Sequence, residues 1–141
     1  MAATDFNQRT IDEFHAKKGR GVGLWGDNLL LMTSRGAHSG SEITTPLVQR
    51  REGDDYVVVA SKGGAPMNPN WYHNVQVNPV VEVEVAGPEG PERFPASARM
   101  AAEGRERDLL YAQMTEVWPA FADYQAKTTR TIPVVLLKRQ Q

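Results

Sequence analysis

The apolar positions of this chain fall into short runs separated by glycine, proline and polar residues, a pattern typical of a β-rich protein. Six runs predict strands, at 29–33, 43–50, 56–60, 80–85, 94–101 and 131–137. The fourth run alternates between valine and glutamate, which predicts one face in the core and the other in water. Because Pro46 interrupts the second run, we expect that strand at a sheet edge or at a bulge.

Helical periodicity predicts the other elements, at 4–18, 69–77, 103–117 and around 121–124. In the first helix, Phe6, Ile11 and Phe14 form a sparse apolar stripe. We expect this helix to pack across the open end of the sheet. Contact of its basic end, residues 17–20, with an acidic or membrane surface is the alternative.

The strands are mostly joined by hairpins, and closing such a sheet removes its exposed edges. We therefore expect a mainly β fold with helices (α+β), in which about six antiparallel strands form a barrel. An open α+β sheet is the competing arrangement. No linker, repeat or low-complexity segment divides the chain, so we expect one domain over 1–141, with an N-terminal helix in 1–20 and a barrel with inserted helices in 29–138.

Composition limits the possible chemistry. The formal net charge of −1 gives no general attraction to nucleic acid, and the absence of cysteine excludes disulfides, thiolate metal sites and cysteine nucleophiles. The histidines lack metal-site spacing, so no metal is expected. Because there is no signal-peptide pattern and no long apolar window, we expect a cytoplasmic protein; loose association with the inner face of the membrane is the alternative.

Candidate chemistry is concentrated in residues 57–74, where an apolar run ends in Ser61-Lys62-Gly63-Gly64 and a helix follows. Asn68 is predicted to cap that helix, with Pro69 at its first position. A glycine turn and a helix N-terminus both favour anions such as phosphate, and Trp71 adds a flat apolar face. The spacing fits neither a Walker loop nor a Rossmann fingerprint. The alternative is an ordinary loop with a solvated lysine.

Several separated motifs together resemble the deazaflavin-dependent nitroreductases, which are F420-dependent oxidoreductases with a split β-barrel fold. The motifs are TTPL at 44–47, SKGGAP at 61–66, NPNWYHN at 68–74, NP at 78–79, DYQ at 123–125 and TRTIP at 129–133. They keep the family's order over nearly the whole predicted domain. The resemblance implies a split β-barrel that binds F420, whose deazaflavin head carries a ribityl chain, a phosphate and a polyglutamate tail.

The resemblance also implies a set of cofactor contacts. They are His38, Ser39, Gly40, Thr45, Pro46, Val48, Ala60, Ser61, Lys62, Gly63, Gly64, Pro69, Asn70, Trp71 and Asn74. The turn and the helix start would contact the chain and phosphate, and the strand residues would hold the head group. Many members carry two basic residues where Ala37 and His38 stand here, and an arginine in place of Ile43. Arg35, Arg50 and Arg51 are the nearby candidates to replace them.

In such an enzyme the reduced cofactor donates a hydride, and the acceptor's developing charge requires a hydrogen-bond donor. Ser61 and Tyr124 are the candidate catalytic residues, and Trp118, Phe121 and Tyr124 the candidate substrate pocket. Simple packing of these aromatics is the alternative. The expected substrates are small electron-poor molecules, namely enones, quinones and nitroaromatics. An FMN-binding barrel oxidoreductase and a non-catalytic F420 carrier are the alternative functions, and a monomer or a homodimer is expected.

Overall fold

The computed structural model describes residues 5–140. It contains four helices, seven strands and one short 3-10 turn. In chain order they are α1 (Asp5–Ala16), β1 (Leu29–Arg35), β2 (Glu42–Val48), β3 (Arg50–Glu52), β4 (Asp55–Val59), the 3-10 turn (Lys62–Gly64), α2 (Asn70–Val77), β5 (Val80–Gly87), β6 (Gly90–Met100), α3 (Arg105–Val117), α4 (Ala120–Ala126) and β7 (Val134–Arg139). No helix within this range is long and apolar enough to cross a membrane.

All seven strands belong to one antiparallel sheet in the order β2-β1-β5-β6-β7-β4-β3. The two edge strands, β2 and β3, are separated in the chain by Gln49 alone. Because one residue cannot span an open sheet, the two edges must lie side by side, which rolls the sheet into a split barrel. The predicted antiparallel barrel is confirmed. The predicted strand 43–50 is two strands, which makes the total seven rather than about six.

Pro46 lies on edge strand β2, opposite Leu31 of β1. Proline has no N–H to donate to a neighbouring strand, so only an edge position accommodates it without losing a ladder hydrogen bond. The expectation from the sequence is confirmed. The short break after Val48 is tied back by the Gln49 amide, which donates to the Asn28 carbonyl at 2.8 Å.

Both faces of β1 are buried, which explains its continuous apolar sequence. Leu30 and Met32 point into the barrel, where they pack with residues of β4, β5, β7 and α2. Leu29 and Leu31 point outward and pack beneath α1. Helix α1 therefore packs on the outer face of β1 rather than across the open end of the sheet, and it buries Ile11 and Phe14. Phe6 is the exception in its stripe, since 57% of its surface stays exposed.

A third cluster covers the other side of the barrel, where α3 and α4 pack on the outer faces of β4 and β7. Val57 and Val59 of β4 alternate with the inward-facing Val58, so this strand is buried on both faces as well. This packing brings two segments that are distant in the chain next to each other. The end of β4 leads directly into the Lys62–Gly64 turn, and α4 lies beside that turn.

Candidate functional site

A groove of about 830 Å³ opens on the flank of the barrel between α1, β2, the start of α2 and α4. Thirteen of the sequence-predicted residues line it: Thr45, Pro46, Val48, Ser61, Lys62, Gly63, Pro69, Asn70, Trp71, Asn74, Trp118, Phe121 and Tyr124. They come from four separate segments of the chain, and the rolled sheet brings them to one place. Lys62 is the only charged side chain lining the groove within residues 5–140.

Residues 61–64 form a turn that we call the glycine turn, and its Ser61, Lys62 and Gly63 line the polar end of the groove. Lys62, Gly63 and Gly64 all have positive φ, at 46°, 63° and 84°. For Lys62, which carries a β-carbon, this left-handed conformation is uncommon and marks backbone strain of the kind found at ligand sites. The Lys62 and Gly63 amides have no acceptor among residues 5–140. Two free amides beside a lysine can bind an anion.

Helix α2 begins next to the glycine turn, one residue later than the sequence predicts. Pro69 occupies the N-cap position with an extended backbone, and no side chain caps the first amides. The predicted cap, Asn68, instead accepts a hydrogen bond from Arg130 at 2.6 Å. This correction leaves the helix N-terminus without a side-chain cap. The Tyr72 amide donates to the Pro69 carbonyl at 3.0 Å, and the Asn70 and Trp71 amides have no acceptor among residues 5–140 and remain available to an anion.

Asn74 joins the groove to the β1–β2 loop. Its Oδ1 accepts a hydrogen bond from the Ala37 amide at 2.9 Å, and the side chain is buried. This position has a structural task that the sequence analysis did not assign to it. Because Oδ1 already accepts this hydrogen bond, the expected contact of Asn74 with a cofactor would use its Nδ2 group.

Five expected cofactor residues do not line the groove: His38, Ser39, Gly40, Ala60 and Gly64. The first three lie in the exposed β1–β2 loop, where the Ser39 hydroxyl accepts from the Ser41 amide at 3.1 Å. Ala60 is completely buried in the barrel core. Gly64 is buried against α4, because a β-carbon there would lie 2.7 Å from the Tyr124 carbonyl oxygen.

The arginines considered for the acidic tail also lie away from the groove. Arg50 pairs with Glu52, and Arg51 pairs with Asp54 at 3.7 Å, both within the β3–β4 hairpin. Arg35 is exposed at the end of β1, with a long 3.5 Å contact to the Gly40 carbonyl. None of the three lines the groove. We therefore find no replacement there for the basic residues that the resemblance implies.

Trp118, Phe121 and Tyr124, which we call the aromatic wall, line the groove from the α3–α4 side. Phe121 is also part of the core: it is buried, and its carbonyl accepts a hydrogen bond from the Tyr111 hydroxyl at 2.6 Å. Burial raises the pKa of Tyr111, which stays a neutral donor there. Trp118 and Tyr124 are half-buried and keep surface toward the groove. Packing and substrate contact are thus combined in this wall.

A second aromatic side of the groove was not predicted. Phe6 of α1 and Trp25 of the loop between α1 and β1 both line it. The Trp25 ring lies 6.2 Å from the Phe6 ring and 6.2 Å from the Trp118 ring. A β-carbon on Gly23 would come within 3.0 Å of the Trp25 ring, so the glycine allows the indole to fold over its own loop. A tryptophan flanked by glycines was the available signal.

Arg130 is the other residue whose task the sequence did not reveal. Its guanidinium donates to the Ala65 carbonyl at 2.8 Å, the Ser61 carbonyl at 2.8 Å, the Ala60 carbonyl at 3.3 Å and Asn68 Oδ1. Burial lowers the pKa of Arg130, but arginine stays charged throughout the physiological range. One side chain thus holds the segment between β4 and α2.

A rolled antiparallel sheet with a groove on its flank defines the molecule as a split β-barrel protein. The model of the F420H(2)-dependent quinone reductase family matches residues 7–139, so the chain belongs to that family. It is 40% identical, over 79% of this chain and 73% of the relative, to an F420H(2)-dependent quinone reductase of Mycobacterium tuberculosis. The resemblance read from the sequence is confirmed.

Two solved structures are also similar to this chain. An F420-H2-dependent reductase is 40% identical, with a TM-score of 0.69 over 79% of this chain and 94% of the other. A protein described as a domain-swapped dimer is 37% identical, with a TM-score of 0.72 over 93% and 96% of the two chains. More distant barrels, such as a haem storage protein of Vibrio cholerae at 16% identity and a TM-score of 0.63, share the fold alone.

Proposed function

We propose that the protein is an F420H2-dependent reductase that transfers a hydride to quinones and to other small, flat, electron-poor molecules. The observation that carries this proposal is the composition of the groove. One end offers two unpaired backbone amides and a lysine, and the remaining walls are largely aromatic and aliphatic. A phosphorylated cofactor with a flat ring needs this combination of an anion site and an apolar slot.

The dimensions and the donor set fit the deazaflavin cofactor. A volume of about 830 Å³ lies at the upper end of the range of ligand pockets. Lys62 and the Lys62 and Gly63 amides are placed to bind the phosphate, and Thr45, Pro46 and Trp71 to flank the ring system. When bound in its reduced form, the cofactor supplies the hydride. The protein's part is to fix the relative positions of the two reactants and to exclude water.

The acceptor is expected beside Trp25 and the aromatic wall, since both line the same groove. Charge that develops on a quinone oxygen is stabilised by a nearby hydrogen-bond donor. The hydroxyls of Ser61 and Tyr124 line the groove, and neither forms a hydrogen bond with any residue in the described range. Both are therefore free to donate to the substrate.

A turnover assay with the purified protein tests the proposal: anaerobic oxidation of F420H2 by a soluble naphthoquinone, followed by the return of oxidised deazaflavin absorbance. We expect saturable turnover, and a decrease in kcat of about tenfold or more in Tyr124→Phe with little change in cofactor affinity. Tyr72→Phe is the matched control, because Tyr72 packs against the barrel core and does not line the groove.

Tight F420 binding without turnover of quinones, enones or nitroaromatics would instead support the carrier function. Preferential binding of FMN would support a flavin enzyme. Reduction by F420H2 that is equally fast in wild type and in Ser61→Ala/Tyr124→Phe would remove both hydroxyls from the mechanism and leave solvent as the proton source.

The proposal also covers the oligomeric state and the cellular location of the protein. We infer a cytoplasmic enzyme that acts as a monomer or a homodimer. A 37% identical structure is described as a domain-swapped dimer, which favours the homodimer. Light scattering on the eluting peak of a gel-filtration column distinguishes the two states directly.

A further inference from the structure

The guanidinium of Arg130 lies behind the glycine turn rather than in the groove. Arg130 is 65 to 70 residues distant in the chain from three of its acceptors, the carbonyls of Ala65, Ser61 and Ala60. Its fourth acceptor is the Asn68 side chain, just before α2. The same planar group therefore holds both ends of the segment that joins the glycine turn to the helix.

These bonds determine where the free amides point. In a trans peptide the C=O of one residue and the N–H of the next lie in one plane and point in opposite directions. Arg130 Nη2 bonds the Ser61 carbonyl oxygen at 2.8 Å, so the Lys62 N–H of the same peptide is turned away from Arg130. This orientation, together with the left-handed Lys62, leaves the Lys62 amide without an acceptor inside the protein.

All four acceptors of Arg130 are neutral. Arg130 has no carboxylate partner among residues 5–140. Its positive charge is therefore not cancelled by an ion pair, and it adds to the positive end of the groove. An arginine that only fastens a loop can equally bond to an aspartate or glutamate. Such an ion pair would cancel the positive charge that Arg130 adds to this end of the groove.

The backbone of Arg130 is itself fixed by a second layer of polar contacts. Gln125 Nε2 donates to the Arg130 carbonyl at 2.8 Å, and Gln125 Oε1 accepts from the Ile132 amide at 3.0 Å. Arg107, a buried residue of α3, donates to the same Gln125 oxygen and to the Ile132 carbonyl at 2.9 Å. Residues of two helices, α3 and α4, thus fix the backbone position from which the guanidinium extends.

We propose that Arg130 is the positioning residue of the anion site: it holds residues 61–68 in the conformation that presents the Lys62 and Gly63 amides to a phosphate. This inference rests on the proposed function, because the phosphate is that of F420. Arg130 makes no contact with the cofactor in this proposal and acts through the backbone. A lysine, with one compact ammonium group, keeps the charge but cannot form the four-acceptor pattern.

The first test compares the affinities of Arg130→Lys and Arg130→Met for two probes. One probe is F420, and the other is its deazaflavin fragment with the ribityl chain but no phosphate. We expect F420 binding to weaken by about tenfold in Arg130→Lys and further in Arg130→Met, while fragment binding changes little. Arg105→Lys and Arg105→Met are the matched controls, since Arg105 is exposed on α3 and has no partner in the described range.

Two results would overturn the proposal. Wild-type affinity for F420 in Arg130→Lys would mean that charge alone is sufficient and that the four-acceptor geometry has no role. Equal losses for F420 and the phosphate-free fragment would mean general damage to the groove. Only a loss selective for the phosphate-bearing probe supports a positioning role at the anion site.

Hydrogen exchange on the cofactor-free protein separates this inference from the proposed function. We expect the hydrogen-bonded amides of Gly64 and Ala65 to exchange about tenfold faster in Arg130→Met than in wild type, with unchanged exchange in the β5–β6 hairpin. If wild type does not bind F420 but this local change occurs, the proposed function fails while the loop-holding role stands. Unchanged exchange at the Gly64 and Ala65 amides would overturn the loop-holding role itself.

Discussion

Gly64 lies directly against the backbone of Tyr124, so that a β-carbon at Gly64 would be 2.7 Å from the Tyr124 carbonyl oxygen and 3.0 Å from its Cα. The contact joins the glycine turn, where we place the phosphate, to the helix that carries the proposed proton donor. In the proposed function, this backbone contact couples the position of the cofactor to that of the acceptor. A glycine is required here by space as well as by its φ of 84°.

Gly64→Ala is expected to destabilise the fold more than Gly63→Ala. Both glycines have positive φ, so each alanine incurs a left-handed backbone cost of about 1–2 kcal/mol. A β-carbon at Gly63 meets nothing within 4 Å, whereas at Gly64 it forces α4 to move, at a further cost of about 1–3 kcal/mol. Denaturant unfolding of the two variants measures the difference. Equal destabilisation would contradict the coupling of the turn to α4.

Lys62→Ala is expected to weaken F420 binding by about ten- to a hundredfold, the value of a charge-assisted hydrogen bond to a phosphate. The melting temperature should stay close to that of wild type, because Lys62 is exposed on a loop. Lys138→Ala, which removes an exposed lysine from the end of β7, is the control. If the titration gives the wild-type dissociation constant for Lys62→Ala, the phosphate does not bind at this end of the groove.

Trp25→Ala is expected to raise the KM for quinone several-fold while the dissociation constant of F420 changes little. Trp25 lines the groove and packs against Trp118 at 6.2 Å between ring centroids, and it is distant in the chain from the glycine turn. Leu24→Ala is the matched control, since the neighbouring Leu24 is 87% exposed and does not line the groove. Equal KM values for the two variants would show that Trp25 takes no part in acceptor binding.

Glu13 is expected to make the attachment of the Trp25 loop dependent on pH. Its carboxylate accepts from Lys17 Nζ at 2.8 Å and from the Gly23 amide at 2.9 Å, and these hydrogen bonds lower its pKa. A pKa that is lower in the folded than in the unfolded state contributes stability above the unfolded value, which is lost as the pH falls through the folded value.

The melting temperatures of wild type and Glu13→Gln should therefore differ at pH 7 and converge as the pH falls below the lowered pKa of Glu13, where the carboxylate is protonated in the folded protein as well. Glu89→Gln is the control, because Glu89 is exposed in the β5–β6 turn and has no ion pair within residues 5–140. A constant difference between wild type and Glu13→Gln across this pH range would show that the charge of Glu13 has no role in holding the loop.

The strands and the glycine turn were predictable because their signals are local. Apolar runs predict β1 and β4, which are buried on both faces. The glycines of the turn predict its positive φ values. The break at Gln49 within the predicted strand 43–50 had no local signal, although this residue joins the two edge strands and accounts for the rolling of the sheet.

The residues that the sequence did not reveal act over long chain distances. Arg130 looks like any surface arginine until β7 is placed beside β4, which brings it under the carbonyls of residues 60–65. Asparagine is a residue type that often caps helices, yet the side-chain oxygen of Asn68 accepts a hydrogen bond from that arginine. Trp25 was passed over because the loop around it carries no periodic pattern.

The most direct measurement is a fluorescence titration of the purified protein with oxidised F420, run beside FMN and repeated with Lys62→Ala. The account predicts saturable binding of F420 at micromolar or lower concentration, weaker binding of FMN, and a reduced F420 affinity in the variant. Absence of F420 binding, or tighter binding of FMN, would contradict the claim that this groove holds a deazaflavin, although the split β-barrel would stand.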